Sequence, residues 1–237
     1  MPATVPKIRF DKSGYYFIGL MALTILGFWN SYFSRFVNGT NDYSFYFHFH
    51  AVLMSIWVVI LIVQPILIRK KKLPVHRIIG KISYVIMPLL LLSVILILNK
   101  GLKAVPVQEI AFANVIFPVR DFILLTLAFS IGTWYRKDIN IHARAMIASG
   151  ILFVEPTLAR FLGGMVFHNQ VGGLLTMALV CALFITLIII ERKQKSGRWI
   201  FPSMLAIFVM VYILLLLQVQ FPVLDGAVRW FAKLPLT

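Results

Sequence analysis

The sequence predicts an all-α fold, a polytopic bundle of about seven transmembrane helices. Three observations carry that expectation. Of the 237 residues 60% are hydrophobic and the mean hydropathy is +0.90, against about half apolar in an ordinary soluble domain. The apolar residues gather in runs without a polar face, several longer than the roughly 18 uncharged residues that mark a span. The net charge of +15 lies between those runs rather than within them. In lipid only helices and closed barrels satisfy their own backbone, and no alternating ten-residue pattern points to a barrel.

The first span, Tyr15–Phe33, follows Lys7, Arg9 and Lys12. It is full-length and lacks a small-residue cleavage site, so it reads as a retained helix and not a signal peptide. The second, Phe47–Ile68, is closed by Arg69 to Lys72, and the third is Ile78–Leu98. The turn "RKKKLPVHR" between them is short enough to make them antiparallel neighbours. The longest loop follows, and its "VQEIAFANVIF" segment is expected along the interface. Phe117–Tyr135 and Ala143–Met165 form the fourth and fifth spans, joined by the equally short "RKDINIHAR". The sixth, Val171–Ile190, holds Cys181, the chain's one cysteine, which excludes an internal disulfide. The seventh is Ile200–Phe221. The whole chain reads as a single integral membrane domain (1–237). Its core bundle spans about 45–165, with the first helix at 15–33 and the last two at 171–221 peripheral.

Sixteen of the 23 Lys and Arg fall on one side of these spans when the N-terminus is placed in the cytoplasm. That excess sets the expectation of N-in, C-out in the inner membrane. The same charges make the bilayer itself the expected partner, with Arg77, Lys81 and Arg144 at anionic headgroups. A nucleic-acid partner is not expected. No Walker loop, Rossmann fingerprint, His-Glu-x-x-His or Gly-x-Ser-x-Gly occurs, so hydrolytic and nucleotide-driven chemistry have no motif to stand on.

Five histidines sit at the ends of spans. His76 and His142 lie at the inner ends of the third and fifth. His48 and His50 lie at the outer end of the second, and His168 in the outer turn after the fifth. Haem b takes an axial imidazole from each of two helices. One haem held by His76 and His142, and a second by His50 and His168, therefore form one expectation. The bland reading places the same rings among headgroups. A metal at His48 and His50 is disfavoured, because residues two apart do not share a helix face. The second constellation lies in "HARAMIASGILFVEPTLARFLGG". Glu155 falls about 20 Å along the axis from His142 at 1.5 Å per residue, well inside the bilayer, where a lone carboxylate costs at least a few kcal/mol. It calls for a partner, Arg160 or Arg120, or for a role. Pro156 bends the helix and opens room for a pocket. Gln64, before Pro65, is a similar polar break.

The blocks "HFHAVLMSIWVVILIVQPILIRKKKLPVHRIIGKISYVIMP" and "INIHARAMIASGILFVEPTLARFL" resemble an uncharacterised bacterial family of multi-pass membrane proteins with a domain of unknown function. The shared pattern is an outer histidine (His48 or His50), Gln64, His76, Arg77 and Gly80, then His142, Arg144, Met146 and Arg160. It departs from that pattern at Ala143 and Ala145. The resemblance implies the bundle and no activity; a likeness to cytochrome b561-like bundles is one of fold alone. Two functions are expected on these grounds. One is electron transfer through haem b with a membrane redox partner. The other is binding or transport of a small molecule, proton or lipid through Glu155 and Arg160.

Overall fold

The computed structural model describes residues 10–168 and 170–237. Lys7 and Arg9, part of the orientation argument, lie outside the described residues. All regular structure among the described residues is helical. Helix α1 (Ser13–Gly27) runs on through a π-turn, Trp29–Phe33, into the short α2 (Ser34–Val37), with a 54° bend between the two parts. The straight span expected here is therefore broken. The break falls where Gly27 is buried against the Thr157 backbone: a Cβ would come within 2.3 Å of that carbonyl oxygen. Only glycine allows so close an approach.

Helices α3 (Phe45–Arg69) and α4 (Leu73–Leu102) are long, unbroken α-helices of 25 and 30 residues. At 1.5 Å per residue they measure about 37 and 45 Å. The turn between them passes through Lys71 at φ 57°. Pro74 sits in the first turn of α4, where a missing N–H leaves no bond unmade. Helix α5 (Ile116–Trp134) leads to α6 (Ile139–Ile151), which starts on Asp138. The Asp138 carboxylate accepts from the backbone N–H groups of Ile141 and Asn140. These bonds, the one from Ile141 above all, hold its carboxyl below the usual range, because they favour the anion.

Helix α6 stops at Leu152 and resumes as α7 (Val154–Phe161). Pro156 supplies the cause: it has no N–H to offer the carbonyl four residues back. A π-turn, Leu162–Val166, completes this rod of 28 residues. Helices α8 (Gln170–Glu191), α9 (Ile200–Leu216) and α10 (Pro222–Ala232) close the chain. Among the described residues five helices are long and apolar enough to cross a bilayer, or six when the bent first pair counts as one span. Tyr16, Val85, Leu174 and Ile213 stand exposed on the outside of the bundle. In water such a surface would aggregate; against acyl chains it is the required one. The chain is an all-helical, multi-pass membrane protein.

Two expectations change here. The last two spans are not peripheral to the core, since Phe184 of α8 and Phe201, Met204 and Phe208 of α9 are 2% exposed or less and join the cluster of Trp57, Met87, Leu124 and Ala145. The seventh span ends at Leu216, and α10 follows as a separate helix. It packs over the long loop. Asn99 Nδ2 donates to Phe231 O at 2.8 Å, the Phe112 N–H to Asp225 Oδ1 at 2.6 Å, and Arg229 Nε to Ile110 O at 2.9 Å. The long loop forms two 3-10 turns, Val107–Glu109 and Phe112–Asn114, with Ile110 and Val115 buried.

Candidate functional site

A cavity of about 1460 Å³ occupies the half of the bundle away from the basic turns. It lies among α1, α3, α4, α5, α7 and α8, and is walled mostly by aliphatic and aromatic side chains. Its ionisable groups converge from several helices: His50 (α3), Arg120 and Asp121 (α5), Glu155 and Arg160 (α7), with the Tyr212 hydroxyl from α9. The Pro156 break helps to make this room, because α7 leaves the line of α6 where Leu152 and Phe153 enter the cavity wall.

Glu155 pairs with Arg120, which settles the choice the sequence left open between Arg120 and Arg160. Arg120 Nη2 donates to one Glu155 oxygen and Tyr212 Oη to the other. Arg120 also grips Asp121 Oδ1 through Nε at 2.9 Å and Nη2 at 2.7 Å. The guanidinium is sandwiched by rings, 4.4 Å from the Phe208 centroid and 5.1 Å from that of Phe117. Arg120 is 2% exposed, and its Nη1 has no partner among the described residues. Stacking of this kind suits the weakly hydrated planar guanidinium.

Arg160 stands apart from that cluster. Glu155 and Arg160 are five residues apart, so they do not share a helix face. Arg160 Nη1 donates to Pro156 O at 3.0 Å, and its guanidinium lies 4.5 Å over the Phe28 ring. Among the described residues it makes no ion pair. It lies within electrostatic range of His50. His50 Nδ1 meets Ser93 Oγ at 3.0 Å, and the Ser93 hydroxyl is already donated to Leu90 O at 2.6 Å. His50 must then be the donor in its own bond, which leaves Nε2 as the acceptor of a neutral ring.

The other histidines fall elsewhere. His48 bonds Tyr32 Oη through Nδ1 at 2.9 Å within an aromatic cluster of Tyr32, Phe36 and Tyr43, so it and His50 part as the helical spacing requires. His168 is exposed in a left-handed turn, φ 55°. His50 alone of the four candidate haem ligands lines the large cavity. At the opposite end His142 Nδ1 donates to Gly132 O at 2.7 Å, which leaves its Nε2 lone pair available. His142 and His76 lie within electrostatic range of each other. Among the described residues His76 Nδ1 is buried without a partner, and so is Gln64 Oε1, although Gln64 Nε2 donates to His76 O at 3.2 Å. Among the described residues no three or more His, Cys, Asp or Glu side chains gather as a metal site.

Arg77 and Lys81 are exposed near the basic turn. Arg144 is not at a headgroup, which corrects the sequence reading. It is fully buried, with Nε on Glu191 Oε2 at 2.6 Å and Nη1 on Asn140 O at 2.9 Å. Sequence reasoning missed Asp121, Tyr212 and Glu191. Asp121 had a usable signal, a second ionisable residue in an apolar run. Tyr212 had none, because an aromatic hydroxyl near a helix end is an ordinary interfacial feature.

Comparison with protein-family models, with curated proteins and with solved structures gives no match to the chain.

Proposed function

We propose that this is an inner-membrane protein with a cytoplasmic N-terminus and seven crossings, α9 and the bent α1–α2 pair included, whose activity is to take a lipid-like molecule from the bilayer into its cavity. The observation that carries the reading is the cavity. Its volume of about 1460 Å³ exceeds the roughly 300–1,000 Å³ of ordinary small-molecule pockets. Its walls are mostly apolar, and its charged groups fall in two sets, Arg120 with Asp121 and Glu155, and Arg160 within range of His50. An amphipathic molecule matches both features. The paired His and Arg blocks also support membership of the uncharacterised multi-pass family that they resemble.

Gly173 provides the test. It lines the cavity, and a Cβ added there meets nothing within 4 Å. Gly173→Phe therefore adds bulk at the cavity wall at a position where the first added carbon meets nothing. The expected result is that wild-type protein, stripped of lipid and offered it again, retains lipid by native mass spectrometry, while Gly173→Phe retains about tenfold less at an unchanged Tm. Equal retention by both proteins, or none by the wild type, overturns the reading.

A second reading, electron transfer through haem b at the other end, is favoured by His142, whose Nδ1–H is anchored on Gly132 O with Nε2 left free. Metal-ligating histidines are commonly held in this way. His76 and His142 would supply the axial nitrogens, and the haem would supply one-electron chemistry with a membrane redox partner. Protein purified from haem-replete cells is then expected to show a Soret band that is lost in His142→Ala. A colourless wild-type preparation ends this reading.

A further inference from the structure

We infer that the cavity selects acidic amphiphiles: Arg160 takes a head-group anion, carboxylate or phosphate, and His50 accepts a hydrogen bond from a head-group hydroxyl. This rests on the cavity reading above and names its ligand class. Four charged side chains line the cavity, Arg120, Asp121, Glu155 and Arg160. One of them, Arg120, engages both carboxylates, and the second Glu155 oxygen is taken by Tyr212. Among the described residues no acid pairs with Arg160.

The Arg160 guanidinium has five N–H donors. Among the described residues one is committed, to Pro156 O, and a ring face covers part of the plane. The Arg160 side chain is exposed on the cavity wall; within a bilayer a cation with open donors is costly, and an anion offered by a ligand relieves that cost. Guanidinium is also the side chain whose fork matches carboxylate and phosphate. His50 adds a second criterion. Its Nδ1–H is committed to Ser93, so its Nε2 offers a lone pair and prefers a head group that carries an O–H.

The tails have a place as well. A second cavity of about 320 Å³ lies beneath α10, lined throughout by aliphatic and aromatic side chains and proline. It shares Val94, Leu98, Pro118 and Phe122 with the large one. The two cavities therefore lie against the same α4 and α5 side chains, and the smaller one sits under a helix pinned by Asn99 and Asp225.

The experiment uses the full chain, stripped of lipid in detergent, and four probes: phosphatidylglycerol and phosphatidylcholine with identical acyl chains, oleate, and oleyl alcohol. In the wild type the acidic member of at least one pair is expected to bind about tenfold more tightly than its neutral counterpart, as a charge-assisted contact implies. A preference within the phospholipid pair identifies a membrane lipid as the source of the anion, and one within the single-chain pair a free acid. Arg160→Gln abolishes the preference while binding of the neutral member persists, and Arg160→Lys retains part of it. Equal binding of acid and neutral analogue in the wild type overturns the acidic-head inference and leaves the cavity reading in place. Failure of all four to bind removes both. The wild-type comparison decides the matter even if a variant does not fold.

Discussion

Replacing Arg120 by Met is expected to destabilise the protein by about 3–5 kcal/mol, the cost of removing one partner from a buried ionic cluster. The methionine fills a similar volume between Phe117 and Phe208, so the loss is electrostatic and not one of packing. It strands Glu155 and Asp121 in an apolar cavity, where each carboxylate was stabilised by the same guanidinium. Glu155→Gln is expected to cost much less, about 1–2 kcal/mol. The amide still accepts from Tyr212, and Arg120 keeps Asp121. Combining Arg120→Met with Glu155→Gln then costs less than the sum of the two single changes, because the second removes one of the charges the first left unpaired. Arg120→Lys does not rescue, since a point ammonium cannot hold two carboxylates at the angles of a fork. Unfolding free energies of these four variants in one detergent check the argument. An Arg120→Met cost below about 1 kcal/mol, or strict additivity in the double variant, would refute it.

How far the fold could be read depended on what interrupts the apolar runs. The second and sixth spans, read as Phe47–Ile68 and Val171–Ile190, match α3 (Phe45–Arg69) and α8 (Gln170–Glu191) closely. Charge or polarity brackets them at both ends. The bend after α1 was not read, although Asn30 and Ser31 interrupt the apolar run there, because its cause lies in another helix, at Thr157 and Arg160. Pro156 could be read as a bend because its effect on the backbone is local. α10 was missed for the opposite reason. It is held by Asn99, Ile110 and Phe112, more than a hundred residues away, and no local pattern announces such a dock.

The site divides along the same line. Glu155, Arg160 and Arg120 were legible because an ionisable group inside a span demands an explanation. Which of the two arginines meets Glu155 was not legible, since that depends on how α5 and α7 are rotated against each other. Arg144 was misread because it stands one turn into a helix next to a basic turn, where headgroup contact is the ordinary outcome. Its true partner, Glu191, stands at a helix end directly before Arg192 and Lys193 and looked paired locally.

That misreading leads to the second large effect. Glu191→Ala is expected to cost about 3–5 kcal/mol, because it leaves a guanidinium with no solvent exposure and no counter-charge. Arg144 does more than pair. Its Nη1 holds Asn140 O in the first turn of α6, its guanidinium lies 4.9 Å over Phe10, and its side chain packs on Gly197 at φ 76°. It therefore fixes the start of α6 to the turn between α8 and α9. Limited trypsin digestion at Arg192, Lys193 and Lys195 is expected to accelerate in the variant, while cleavage at the α3–α4 turn stays slow. Replacing both partners with Met removes the stranded charge together with the pair, and is expected to recover most of the stability. Lipid retention separates the two ionic clusters. The double Met variant keeps it, because Arg144 and Glu191 do not line the cavity. Arg120→Met weakens retention of acidic lipid even at a temperature where the protein remains folded, because it leaves the Asp121 and Glu155 carboxylates unpaired in the cavity wall. If the double Met variant also lost its lipid while folded, the cavity would be coupled to the basic end, and the separation of a structural from a binding cluster would fail.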